Sequence, residues 1–217
     1  MKGGFFVFVK FVKDLFFPIF CAKCGREGEW LCENCLGKIE TAKVNFDSVD
    51  LAGTDLDGLF YLFYYNDQDF IAKLIRGFKY GYAREMAEIW KSFILKCDLV
   101  SGFTIVPVPL HPRRQRERGF NQSQILAELL AEVFDLPIEN KGLVRVRNTV
   151  QQAKLSGEQR KNNVKDAFAW KSADAPPQNV LLVDDVYTTG ATMAQCAKVL
   201  KQNGANKVRG FVLAKSG

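Results

Sequence analysis

From residue 59 onward, apolar positions fall into strand-like runs and helix-like stripes that take turns. LFYLFYY at 59–65 is an unbroken aliphatic and aromatic run, the composition of a strand. DFIAKLIRGFKY at 69–80 sets Ile71, Leu74, Ile75 and Phe78 at helical spacing. After Gly81, a helix over about 83–96 gathers Met86, Ile89, Trp90, Phe93 and Ile94 on one face. FTIVPVP, from residue 103, reads as a short strand that enters a basic, proline-containing loop, LHPRRQRERGFN. SQILAELLAEVF then reads as an amphipathic helix. GLVRVR at 142–147 and VKDAFAW read as strands on either side of a polar stretch, NTVQQAKLSGEQRKNN, that reads as a mobile loop. NVLLVDD predicts a buried strand, ATMAQCAKVLKQNG a helix ending at Gly204, and KVRGFVLAK a last strand.

Strands alternating with helices predict an α/β fold: a mostly parallel sheet flanked by helices. Ligands of such sheets bind beyond the carboxyl ends of the strands. Loops 109–121 and 184–192, the two richest in chemistry, should both lie there.

The first 40 residues differ. MKGGFFVFVKFVKDLFFPIF is apolar, but Lys10, Lys13 and Asp14 interrupt it below the length of a membrane span. A segment packed on the protein and ended by Pro18 is expected, with weak membrane or partner contact through its phenylalanines as the alternative, no membrane crossing and a cytoplasmic location. The expected division is an apolar lead with a cysteine module at 1–45 and an α/β domain at 46–217. The net charge of +6 permits an anionic partner without demanding one.

Four of the six cysteines form two knuckles, Cys21-x2-Cys24 and Cys32-x2-Cys35. Each knuckle can wrap one edge of a tetrahedral zinc ion with two thiolates. Paired disulfides or a redox site are the other options, and structural zinc is the expectation for a chain read as non-secreted. Cys97 and Cys196 read as isolated packing residues.

The second loop, VLLVDDVYTTGAT, carries Asp184, Asp185, Val186, Tyr187, Thr188, Thr189, Gly190, Ala191 and Thr192. A helix starting near Gly190 would offer free backbone N–H groups, and the threonine hydroxyls would complete an anion cradle. The two carboxylates just before it could accept from a ribose diol or hold hydrated Mg²⁺. Together they fit a ribose 5-phosphate. An ordinary strand-to-helix turn with capping threonines is the plainer alternative. The first loop offers Leu110, His111, Arg113, Arg114, Arg116 and Arg118. Arginine forks suit pyrophosphate, although a solvated basic loop or one gripping a nucleic-acid backbone has the same composition. Lys79 could face phosphate or simply be solvated, and His111, the single histidine, could touch pyrophosphate or be a plain loop residue.

The strand-Asp-Asp-x-x-x-Thr-Gly-x-Thr pattern resembles the signature of type I phosphoribosyltransferases, which bind phosphoribosyl pyrophosphate (PRPP). More widely, the chain resembles the competence protein ComF family. The resemblance runs through the knuckles, IRGFKYGY at 75–82, VPVPLHPRRQRERGFNQS at 106–123, VRNTVQQAKLSGEQRKNNVKDAF at 146–168 and VLLVDDVYTTGAT. It implies PRPP binding with Mg²⁺, a role in DNA uptake with single-stranded DNA, and partners such as an uptake helicase and a recombination mediator. An active phosphoribosyltransferase acting on an unidentified acceptor is the alternative. Likeness to glutamine PRPP amidotransferase implies that residues 147–162 close over PRPP, near Gln151, Gln152, Arg160 and Asn163. The glutaminase of that enzyme needs a cysteine at position 2, where this chain has Lys2.

Overall fold

The computed structural model describes residues 18–39, 45–47, 51, 53–65, 69–79, 83–97, 101–147 and 164–216. The apolar lead before Pro18, Tyr80, Gly81 and the loop residues Gln151, Gln152, Arg160 and Asn163 lie outside them.

The strands are β1 (Asn45–Asp47), β2 (Leu59–Tyr65), β3 (Thr104–Pro107), β4 (Leu143–Arg145), β5 (Phe168–Trp170), β6 (Asn179–Tyr187) and β7 (Lys207–Ser216). The helices are α1 (Glu33–Gly37), α2 (Phe70–Lys79), α3 (Ala83–Ile94), α4 (Pro112–Arg118), α5 (Gln122–Phe134) and α6 (Ala191–Gln202). The main sheet runs β1-β2-β7-β6-β3, parallel from β2 to β3, with β1 antiparallel at the edge.

Each face of the sheet has its own core. Phe60, Leu62, Leu181, Val183, Phe211 and Leu213 pack with α2, α3 and α5. Leu59, Tyr61, Val180, Leu182, Val208 and Val212 pack with α6. Because β6 is covered on both sides, it reads as a continuous apolar run and not as an alternating one. The cysteine module adds Cys21, Leu31, Cys32, Cys35 and Ile39 to the first core. Among the described residues, no helix is long and apolar enough to cross a membrane.

Three elements depart from expectation. The basic loop contains a helix, α4, between His111 and Gly119. Pro112 at its first turn has a pre-set φ and no N–H to leave unsatisfied, and Arg113 pairs with Glu117 one turn later at 3.0 Å. The strands 143–145 and 168–170 pair antiparallel with each other in a separate two-stranded sheet. The strand expected to end at Asp185 continues through Tyr187, so the first residues of the expected loop 184–192 are strand.

Candidate functional site

β3 and β6 are parallel neighbours, so the loops leaving their carboxyl ends start side by side. One leads into α4, the other into α6. Val108 N donates to Val183 O at 2.9 Å, and Asn121 Nδ2 donates to Val108 O at 3.1 Å, tying the start of α5 to the same edge.

The two carboxylates have separate partners. Ser123, buried at the start of α5, donates its hydroxyl to Asp184 Oδ1 at 2.8 Å, and the Asp185 N–H donates to the same oxygen at 2.9 Å. Asp185 is buried, and its Oδ2 lies 2.7 Å from the Lys79 ammonium at the end of α2. Burial, then the like charge of Asp185, pushes Asp184 up to about 7, against the opposing pull of the two hydrogen bonds and of Lys79. Lys79 is therefore a counter-ion of the pair and not a solvated lysine.

Beyond β6 the chain turns at Gly190, which caps α6 in the left-handed region at φ 70°. A Cβ there would fall about 2.1 Å from the Tyr187 hydroxyl, so only glycine fits between this turn and the Tyr187 ring. Tyr187, not open space, lies over Gly190. The Thr189 hydroxyl oxygen is buried and makes no hydrogen bond among the described residues. Val186 and Ala191 pack into the two cores, while Thr188, Thr189 and Thr192 are half-buried. Thr188 O accepts from Ser216 Oγ at 3.5 Å.

In the first loop, Leu110 is half-buried. His111 caps α4, its Nδ1 accepting from Arg113 N at 3.2 Å. Arg113 is exposed and paired with Glu117, and Arg118 Nη1 donates to Gln122 Oε1. Burial, then the nearby Arg118, lowers Arg114.

Two polar residues of this site escaped the sequence reading. Ser123 looked like one more polar residue at a helix start. Arg145 is buried with its guanidinium 5.2 Å from the Phe168 ring, and burial and then Arg114 lower its pKa, while Cys196 and Asp184 raise it. Its signal was parity: in β4, Leu143 and Arg145 share the buried side. At the same edge of the sheet, Tyr64 is exposed, and the buried Lys215 sets its ammonium 5.6 Å from the Tyr61 ring.

The four knuckle cysteines form a second centre. Their sulfurs all lie within 4.8 Å of one another, and Cys24 Sγ is 3.7 Å from Cys32 Sγ. Thiolates around tetrahedral zinc lie roughly 3.8 Å apart, given Zn–S bonds of about 2.3 Å. None of the four is in a disulfide. Burial alone would raise the Cys21 thiol, but backbone N–H groups of Cys32, Cys24 and Lys23 hold it at about 6. Burial and the neighbouring thiols push Cys35 up to about 12. Sulfurs so close cannot all ionise without a cation among them, and the donor set fits Zn²⁺.

No family model matches the chain. Competence protein F of Haemophilus influenzae is 30% identical over 205 residues, covering 92% of this chain and 86% of that protein. Competence protein ComFC of Bacillus subtilis is 34% identical over 146 residues, 67% of this chain and 55% of that protein. DNA utilization protein YhgH of Salmonella typhi is 41% identical over 114 residues, 52% of this chain and 49% of that protein. The matched region is thus about half the length of each of the last two relatives.

Proposed function

The chain belongs to the competence protein F family, and from that premise we propose that it binds PRPP at the carboxyl edge of its sheet and acts in the uptake or use of DNA. Thr189 carries the ligand half of this reading. A buried hydroxyl without a partner costs roughly 1–3 kcal/mol, and a phosphate oxygen on the α6 N-terminus would relieve that cost. Asp184 and Asp185 stand a few residues upstream, where a ribose diol attached to such a phosphate would meet carboxylate acceptors. The arginines at 113, 114 and 118 supply positive charge for a pyrophosphate group, and Lys79, which the sequence also offered to phosphate, offsets the charge of Asp185. Mg²⁺ would arrive on the ligand's phosphates, since this ion keeps its waters and uses one or two carboxylates at most.

The biological half rests on the relatives, whose names speak of competence and DNA utilization. Single-stranded DNA is the proposed macromolecular ligand, and uptake and recombination proteins the proposed partners. Zn²⁺ in the four-cysteine centre is proposed as a structural ion.

A second reading, phosphoribosyl transfer to an acceptor, draws on Asp184. A carboxyl pushed up to about 7 titrates where a general acid or base works best. A pH–rate profile with an inflection near neutrality, lost in Asp184→Asn, would favour it.

The test is binding of PRPP, ribose 5-phosphate and inorganic pyrophosphate, each with and without Mg²⁺. The reading expects PRPP to bind tightest. Equal weak binding of all three, or none, overturns it.

A further inference from the structure

We propose that the cysteine module positions Asp185 through α2, with Trp30 as the positioning residue and Lys79 as the group that carries its effect. The proposal deepens the ligand reading above, but its first test does not depend on it.

Trp30 lies between the two knuckles and is tied to both. Its carbonyl accepts from Ala22 N at 2.9 Å, next to Cys21, and it precedes Leu31 and Cys32 directly. Its ring rests on Gly77, where a Cβ would lie 3.5 Å from Trp30 Cζ3 and the same distance from Met86 Sδ. The indole thus packs against α2 at this position, where a methyl group would touch it at ordinary contact distance and a larger side chain would push it away. The module touches α2 a second time where the Lys23 ammonium sits 5.4 Å from the Phe70 ring. Positions 70 and 77 are two helical turns apart and share a face. The module thus grips α2 along one line, over nearly its whole length.

Two residues beyond Gly77, α2 ends at Lys79, on a different side of the helix. There the ammonium meets Asp185 Oδ2 at 2.7 Å. Ile71, Leu74, Ile75 and Phe78 hold α2 in the core, so it moves as a rigid body. A shift or roll of the helix at the Trp30 contact carries the Lys79 backbone with it and changes the 2.7 Å contact with Asp185. An Asp185 that loses its counter-ion becomes a buried carboxylate beside another carboxylate.

The module thus does more than cover apolar surface. It fixes the direction of one of the two carboxylates proposed to meet the ligand, through the 2.7 Å contact that Lys79 makes with it. Coupling of this kind is reciprocal, so a ligand that orders Asp185 also steadies the module.

The test compares wild type, Trp30→Ala and Gly77→Leu. The last displaces the indole without changing the module. Zinc content is measured in each, and lysines are labelled by an amine-reactive acetylating reagent and read by mass spectrometry. The Lys201–Asp57 pair, also 2.7 Å long and with a lysine as exposed as Lys79 although its aspartate is more open to solvent, serves as internal control. Lys79 labelling should rise about 3- to 10-fold in both variants while Lys201 labelling stays constant. Unchanged Lys79 labelling in both, or an equal rise at Lys79 and Lys201, overturns the proposal. PRPP affinity is then followed through a double-mutant cycle of Trp30→Ala with Lys79→Met. The loss caused by Trp30→Ala should vanish in the Lys79→Met background, and fully additive losses overturn it. If wild type binds no PRPP, the ligand reading fails while the labelling result still decides the coupling.

Discussion

Lys79 and Asp185 form an ion pair of 2.7 Å between the last residue of α2 and the strand that leads to the candidate anion cradle. The aspartate end is buried and the lysine end about a quarter exposed. One carboxylate of the pair therefore has a fixed counter-charge, while Asp184 relies on a serine hydroxyl and a backbone N–H. This division makes the two positions chemically unequal.

Asp184 should make stability depend on pH. Its folded value, about 7, lies above its ordinary value of 3.8, so the folded state holds a proton that the unfolded state has released. That favours folding at low pH, and the advantage is lost as pH rises between those two values. Denaturant titrations should show wild type losing stability relative to Asp184→Asn across that window, then running parallel to it above the window. Parallel curves throughout would contradict the placement of Asp184.

Thr189→Val should separate binding from stability. Valine keeps the shape and removes a buried hydroxyl that has no hydrogen-bond partner among the described residues. The variant should melt at or above the wild-type temperature, with up to about 1 kcal/mol of added stability, and bind PRPP about tenfold more weakly. Thermal melts and a binding isotherm check both arms, and a clear loss of stability would mean that the hydroxyl has a partner in the ligand-free protein.

Gly190→Ala should be among the more damaging small substitutions. It combines a positive φ with a Cβ driven into the Tyr187 ring. A loss of roughly 1–3 kcal/mol is expected from the backbone and the clash together. In a Tyr187→Ala background, which lacks the ring, the further loss caused by Gly190→Ala should be smaller than in wild type. Equal losses in the two backgrounds would show that the backbone carries the whole effect.

Freshly purified, reduced protein should contain about one zinc per chain, bound by thiolates. Removal by a chelator should lower the melting temperature, and Cys21→Ser should lower both zinc content and stability. Metal analysis that finds no zinc would return the four cysteines to a redox or packing role.

Much of the framework was legible in the sequence, for identifiable reasons. Helical spacing at Ile71, Leu74, Ile75 and Phe78 survived because the same residues face the core. NVLLVDD declared itself because a strand covered on both faces needs an unbroken apolar run. The knuckle spacing announced a four-sulfur cluster because two C-x2-C turns have few other ways to pack. The α4 helix was hidden behind its charge and proline, since its own cap and one ion pair, not an apolar stripe, hold it. The Lys79–Asp185 and Ser123–Asp184 contacts join residues 106 and 61 positions apart, as the numbering gives, and no local pattern encodes them. Nor could Trp30 be matched to Gly77, because a glycine within a helix looks like a weak point until the ring that covers it is seen.

The Asp184–Asp185 edge and the α6 cradle are proposed to form a PRPP site in a DNA-handling protein. Calorimetric titration of PRPP with Mg²⁺ into wild type and into the Asp184→Asn/Asp185→Asn variant, with and without single-stranded DNA, tests it most directly. A one-to-one isotherm for wild type, at least tenfold weaker binding by the variant, and a shift in affinity when DNA is present are the expected results. Identical isotherms for the two proteins, or no heat in any condition, would contradict it.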